Sequence, residues 1–181
     1  GGTWVPKSVA DCLKVSRVVN ESPANVLLFA GAALRASDSA LSADMIVRAA
    51  EDLPAEAALN ALERALDYAP EPGRVAKALF SIAHENQLIE HVLHAIVQRD
   101  MRDPGVIRAS IEAAIDVGEL HIAAEQWLRL VETESHSEEL WRIGLAVVRD
   151  LLPQEPELAS DVLGSLLWST DSSELRLTAA D

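Results

Sequence analysis

Residues 72–103 read PGRVAKALFSIAHENQLIEHVLHAIVQRDMRD, and residues 104–136 follow directly as PGVIRASIEAAIDVGELHIAAEQWLRLVETESH. Both stretches open on Pro-Gly, and in both the apolar residues return every three or four positions, in two blocks separated by a short polar interruption. That is the period of a helix with one buried stripe, written twice per stretch. Laying Pro72-Gly73 on Pro104-Gly105 aligns the stretches without a gap at a spacing of about 32 residues. Leu79 then falls on Ile111, Ala83 on Ile115, Asn86 on Gly118, Leu88 on Leu120, Val92 on Ala124 and Ile96 on Leu128. Two related helical hairpins, 72–103 and 104–136, are expected.

The same period runs outward in both directions. Breaks fall at Ser22-Pro23, at 37–39, at Leu53-Pro54, from Ala69 to Gly73, at 103–105, from Glu134 to Ser137, from Pro153 to Pro156 and from Ser169 to Ser173. They leave segments of roughly 12 to 18 residues filled with Ala, Leu, Glu and Arg, all strong helix formers. Nowhere do apolar and polar residues alternate long enough for a strand. Asp38, Ser42 and Ser137 suit helix N-caps, and Pro23, Pro54 and Pro104 suit first-turn positions that need no N–H. Helices this short bury their stripe only by packing on one another, and the connections allow only antiparallel neighbours. An all-α chain of stacked antiparallel hairpins without a sheet follows. Ala55–Tyr68 reads as the second helix of a preceding unit, and 139–152 with 157–168 as a further pair. Residues 1–181 thus read as one helical-repeat domain. Gly1-Gly2 resembles the scar of a cleaved tag more than a signal peptide, so a longer parent protein is compatible with the sequence.

Composition narrows the function classes. With 49% hydrophobic residues in 181, a continuous core is within reach. Asp and Glu outnumber Lys and Arg by 29 to 15, a formal charge of −14 that argues against nucleic acid as partner. The one cysteine, Cys12, excludes an internal disulfide and a multi-thiolate metal site, and reads as a small buried residue. Cytoplasm is the expected compartment. The longest apolar run, Val26 to Leu34, falls far short of the roughly 20 residues that a membrane span requires, so no membrane insertion is expected.

Chemistry-bearing motifs are not found. No Gly-rich loop with Lys and Ser or Thr precedes a helix, and Gly164-Ser165 lies in a helical run rather than at a strand-to-helix elbow. His84, Glu85, Glu90, His91 and His94 cluster in sequence, with His91 and His94 three apart on one helix face. The ligand spacing of helix-borne zinc sites is not reproduced, so surface or interhelical hydrogen bonding is expected rather than a metal. His121 and His136 lie near helix ends. No cofactor and no catalytic activity are expected. Of the four tryptophans, Trp127 and Trp168 read as core, while Trp4 and Trp141 are placed to pack or to meet a partner.

Val106–Ser137 resembles the tetratricopeptide repeat family. Ile111 and Ile115 stand at its first-helix positions, Gly118 in the turn, Ala124 at the close-contact position of the second helix and Leu128 one turn later. The unit from Pro72 departs from the pattern, with Val92 at the small position and Phe80 where Gly or Ala belongs, and Glu112 departs likewise in the next unit. The resemblance implies a right-handed α-solenoid whose concave face, lined by first helices, holds a peptide or protein partner. On that face Arg74, Lys77, Ser81, Arg108, Glu112, Trp141 and Arg142 are the implied contact residues, with Arg74, Lys77 and Arg108 forming a basic patch for partner carboxylates. The expected function is therefore a non-catalytic interaction scaffold or adaptor. The alternative is a helical regulatory or helper domain excised from a larger enzyme such as a transferase or protease.

Overall fold

The computed structural model describes residues 5–134 and 137–169. Among the described residues there are ten helices and no strand, and 78% of these residues are helical. The helices are α1 (Val9–Val19), α2 (Pro23–Leu34), α3 (Ser39–Ala50), α4 (Ala55–Leu66), α5 (Pro72–Glu85), α6 (Ile89–Gln98), α7 (Pro104–Val117), α8 (Leu120–Thr133), α9 (Glu138–Leu151) and α10 (Pro156–Ser169).

The starts follow cap chemistry. The carboxylates of Asp38 and Asp103 accept the Leu41 and Val106 N–H at 3.0 Å, and the Ser137 hydroxyl accepts the Leu140 N–H at 3.2 Å. Pro23, Pro72 and Pro104 occupy first-turn positions, while Pro54 is itself the residue before α4. Ser42, expected as a cap, lies inside α3 instead and is fully buried.

The ends show a register that the Pro-Gly alignment misses. After α5 the left-handed residue is Gln87 (φ 58°), and the Leu88 N–H reaches back to the Ala83 carbonyl at 2.7 Å. After α7 it is Gly118 (φ 77°), and the Glu119 N–H reaches Ala114 at 2.9 Å. These turns lie 31 residues apart, whereas the helix starts Pro72 and Pro104 lie 32 apart, because one more residue separates Pro72 from its turn. Burial follows the turns. Ala83 matches Ala114, Phe80 matches Ile111, and in the second helices Leu93 matches Ala124 and Ile96 matches Trp127, every one of them buried. Ile115 and Leu128, the partners in the longer register, are only half-buried. Phe80 is a core residue, as is Ile111, its counterpart 31 positions on.

The chain forms two compact units, Gly1–Val92 and Leu93–Asp181, with the boundary inside α6. In the first unit each helix from α1 to α5 packs on the next, and α3 also touches α1 and α5. Its core gathers Cys12, Leu27, Ala30, Leu34, Met45 and Ala49. Each large aliphatic side chain removed from water there contributes about 1.5–3 kcal/mol. α2 and α3 approach closely because Gly31 faces Ile46: a Cβ at Gly31 would lie 3.0 Å from the Ile46 Cδ1. The Ser42 hydroxyl seals this crossing by donating to the Gly31 carbonyl at 2.7 Å while lying 3.0 Å from the Tyr68 hydroxyl.

In the second unit α7 packs on α8, α8 on α9 and α9 on α10, and α8 also touches α10. Trp127 of α8 is its central side chain, fully buried, with its indole N–H donating to the Leu140 carbonyl at 2.9 Å. Gly144 of α9 lies against the ring, and a Cβ there would come within 2.6 Å of Trp127 Cε2 and Cζ2 and 2.9 Å of Leu166 Cδ2. Trp141 of α9 is also buried, 3% exposed.

Candidate functional site

The expected contact residues divide between the two units. Arg74, Lys77 and Ser81 lie on α5 and are exposed. In the second unit, Arg108 and Glu112 lie on α7, and Trp141 and Arg142 on α9.

Arg74 and Ser81 border cavities along the seam between α3 and α5. A smaller one of about 160 Å³ is bounded by Ala43, Asp44, Ala69, Glu71 and Arg74. A larger one of about 340 Å³ is bounded by Ala50, Glu51, Ala78, Ser81 and Glu85. Val47 of α3 lines both. The helical period explains the arrangement: Arg74, Ala78, Ser81 and Glu85 form one stripe of α5, and Ala40, Asp44 and Val47, with Glu51 just past the helix, the opposing stripe of α3. Small side chains floor the seam and charged ones rim it.

The charge of that rim differs from the expected basic patch. Arg74 Nη1 lies 2.5 Å from Asp44 Oδ1, so its charge is met within the seam. Glu51, Glu71 and Glu85 remain on the rim, and Glu51, just past α3, also pairs with Arg48 of that helix. The net character is acidic. In the second unit Arg108 is only 19% exposed at its side chain, paired with Glu134 and, at 3.0 Å, with Glu139. Burial alone would lower its pKa, but the two carboxylates outweigh it and hold the guanidinium more firmly protonated than usual. Such an arginine ties α7 to the residues around the α8–α9 connection. Arg142 pairs with Glu138 one turn earlier at 3.1 Å, and Glu112 is exposed.

Trp141 is removed from the surface by packing. Its indole N–H has no hydrogen-bond partner among the described residues. The stripe Leu140, Gly144, Val147 and Leu151 carries α9 into the core, and Trp141 borders it. Trp4, His136 and the side chain of Trp168 lie outside the described residues.

The histidines are not gathered as their sequence clustering suggests. His84, His91 and His94 are exposed. Glu119, before α8, draws two imidazoles instead: its carboxylate oxygens lie 3.9 Å from His94 Nε2 and 3.3 Å from His121 Nδ1. This grouping joins residues up to 27 positions apart and has no local signature in sequence. Among the described residues, no helix is long and apolar enough to cross a membrane. No protein-family model, curated protein or solved structure matches this chain.

Proposed function

We propose that this chain is a non-catalytic scaffold that holds a segment of another protein, and that its hairpins stack as a right-handed α-solenoid of the tetratricopeptide kind. Contacts between next-but-one helices, α1 with α3, α3 with α5 and α8 with α10, are those that stacked hairpins make, and they support the reading. The observation that carries the binding reading is the α3–α5 seam, an Ala- and Val-floored channel rimmed by Glu51, Glu71 and Glu85. Small floor residues let a partner backbone approach, and the carboxylates favour Lys or Arg on the incoming segment. Arg74 then orients Asp44 and sets the end of the channel rather than gripping a partner carboxylate.

The test is capture from the native organism with the purified chain as bait, beside Glu51→Lys/Glu85→Lys as a second bait. Both positions are exposed, so the fold should be unaffected by the exchange. Partners retained by the parent chain and lost from the variant support the channel. An identical set on both baits removes it as the binding surface.

A further inference from the structure

A second groove lies in the first unit between α2 and α4, with Ile46 of α3 at its base. Its volume is about 350 Å³, and its base is formed by Leu28, Ile46 and Ala61. Ala32 and Ala57 keep the walls low. The two walls carry Arg35, just past α2, and Arg64 of α4, and no Asp or Glu lines the groove. In a chain of net charge −14 this is a local inversion of sign. It is also unneutralised. Arg48, Arg74, Arg108, Arg129, Arg142 and Arg149 all meet carboxylates, whereas neither Arg35 nor Arg64 does among the described residues.

Arg35 is held in place without losing its charge. Its guanidinium carbon sits 4.7 Å from the centre of the Tyr68 ring, a cation–π contact that leaves the N–H donors available. Tyr68 is positioned through its hydroxyl, 3.0 Å from the buried Ser42 Oγ, which itself donates to the Gly31 carbonyl. The wall of the groove is therefore fixed from the core outward, and that preorganisation reduces the ordering cost of binding.

We propose that the α2–α4 groove docks an acidic amphipathic helix of a partner protein, with aliphatic side chains on Leu28, Ile46 and Ala61 and flanking carboxylates on Arg35 and Arg64. An apolar floor between two helices accepts the apolar stripe of a third, and low alanine walls allow close approach. Guanidiniums free of internal partners supply charge-assisted hydrogen bonds to carboxylates. This surface is separate from the α3–α5 seam and opposite to it in charge.

The test pans a displayed library of helical 16-residue peptides against the whole purified chain, then measures binding of the enriched peptides by fluorescence anisotropy. The expected result is a class of clones with aliphatic residues at helical spacing and Asp or Glu beside them. Their affinity should fall at least tenfold on Arg64→Glu and further on Arg35→Glu/Arg64→Glu, with circular dichroism unchanged, and replacing their carboxylates by Lys should restore binding to the double variant. Acidic clones indifferent to both variants, or no acidic class at all, would overturn the inference. Basic clones that depend on Glu51 and Glu85 would uphold the α3–α5 channel alone, so the two readings fail separately.

Discussion

Gly144→Ala sets two effects of known sign against each other. Alanine in place of glycine inside a helix favours folding by about 0.8–1.0 kcal/mol, so on propensity alone α9 should gain. The new methyl, however, would be centred 2.6 Å from Trp127 Cε2 and Cζ2. The ring cannot swing aside cheaply, because it is fully buried and its N–H is committed to the Leu140 carbonyl. Overpacking of this kind costs about 1–3 kcal/mol, and rigid ring atoms place it at the upper end. A net loss of about 1–2 kcal/mol follows, which lowers the melting midpoint by about 2–4 °C per kcal/mol in a chain of this size. Gly164→Ala is the matched control: nothing lies within 4 Å of its Cβ, so it should gain about 0.5–1 kcal/mol. Urea titrations followed by circular dichroism measure both, and Trp127→Phe should shrink the Gly144→Ala penalty if the ring is its source. A Gly144→Ala chain as stable as the parent would refute the packing of α9 against Trp127.

Three further outcomes are expected. Ala124→Trp should destabilise by about 1–3 kcal/mol or more in thermal melts, since Ala124 is fully buried; an unchanged midpoint would place it at the surface. Arg108→Glu should cost about 1–3 kcal/mol, because it sets three carboxylates together in a half-buried site, while Arg74→Glu, exposed at 59%, should stay within about 1 kcal/mol; equal effects in denaturant titration would contradict the burial difference. Burial, aided by Asp11, pushes the Cys12 thiol pKa up, so disulfide-exchange reagents at neutral pH should react only as the first unit opens. Fast labelling of the native chain would show that Cys12 is accessible.

Much of the architecture was legible because it is written locally. Pro23, Asp38 and Pro104 mark helix starts by chemistry confined to one turn, and the helical period needs no tertiary knowledge. The register was not legible, because Pro-Gly reports where a helix begins and says nothing of where it ends. Gln87 adopts a left-handed conformation that glycine usually signals, so the turn after α5 carried no flag. Ser42 resembled a cap, but it occupies the face shared by Met45, Ile46 and Ala49, a stripe that could have placed it inside. The burial of Trp141 was signalled in the same way by Leu140, Gly144 and Val147. The pairing of Arg108 was beyond reach, since Glu134 and Glu139 lie far along the chain and only packing brings them to it. Likewise the α2–α4 groove joins stripes of two helices whose sequence separation hides their shared sign.

The ion pairs of Arg74 with Asp44, Arg108 with Glu134 and Arg129 with Asp100 each bridge 26 to 30 residues, about one helical hairpin. Much of the chain's scarce positive charge thus serves as internal counter-ion, tying one part of a unit to the next. Each pair cancels one cation against one carboxylate, so the formal charge of −14 is carried by the carboxylates left over. Seen as a colloid, such a particle retains small cations, is repelled by polyanions and binds tightly to an anion-exchange matrix. Its few uncommitted guanidiniums, Arg35 and Arg64 among them, stand out against that background as local wells for negative charge.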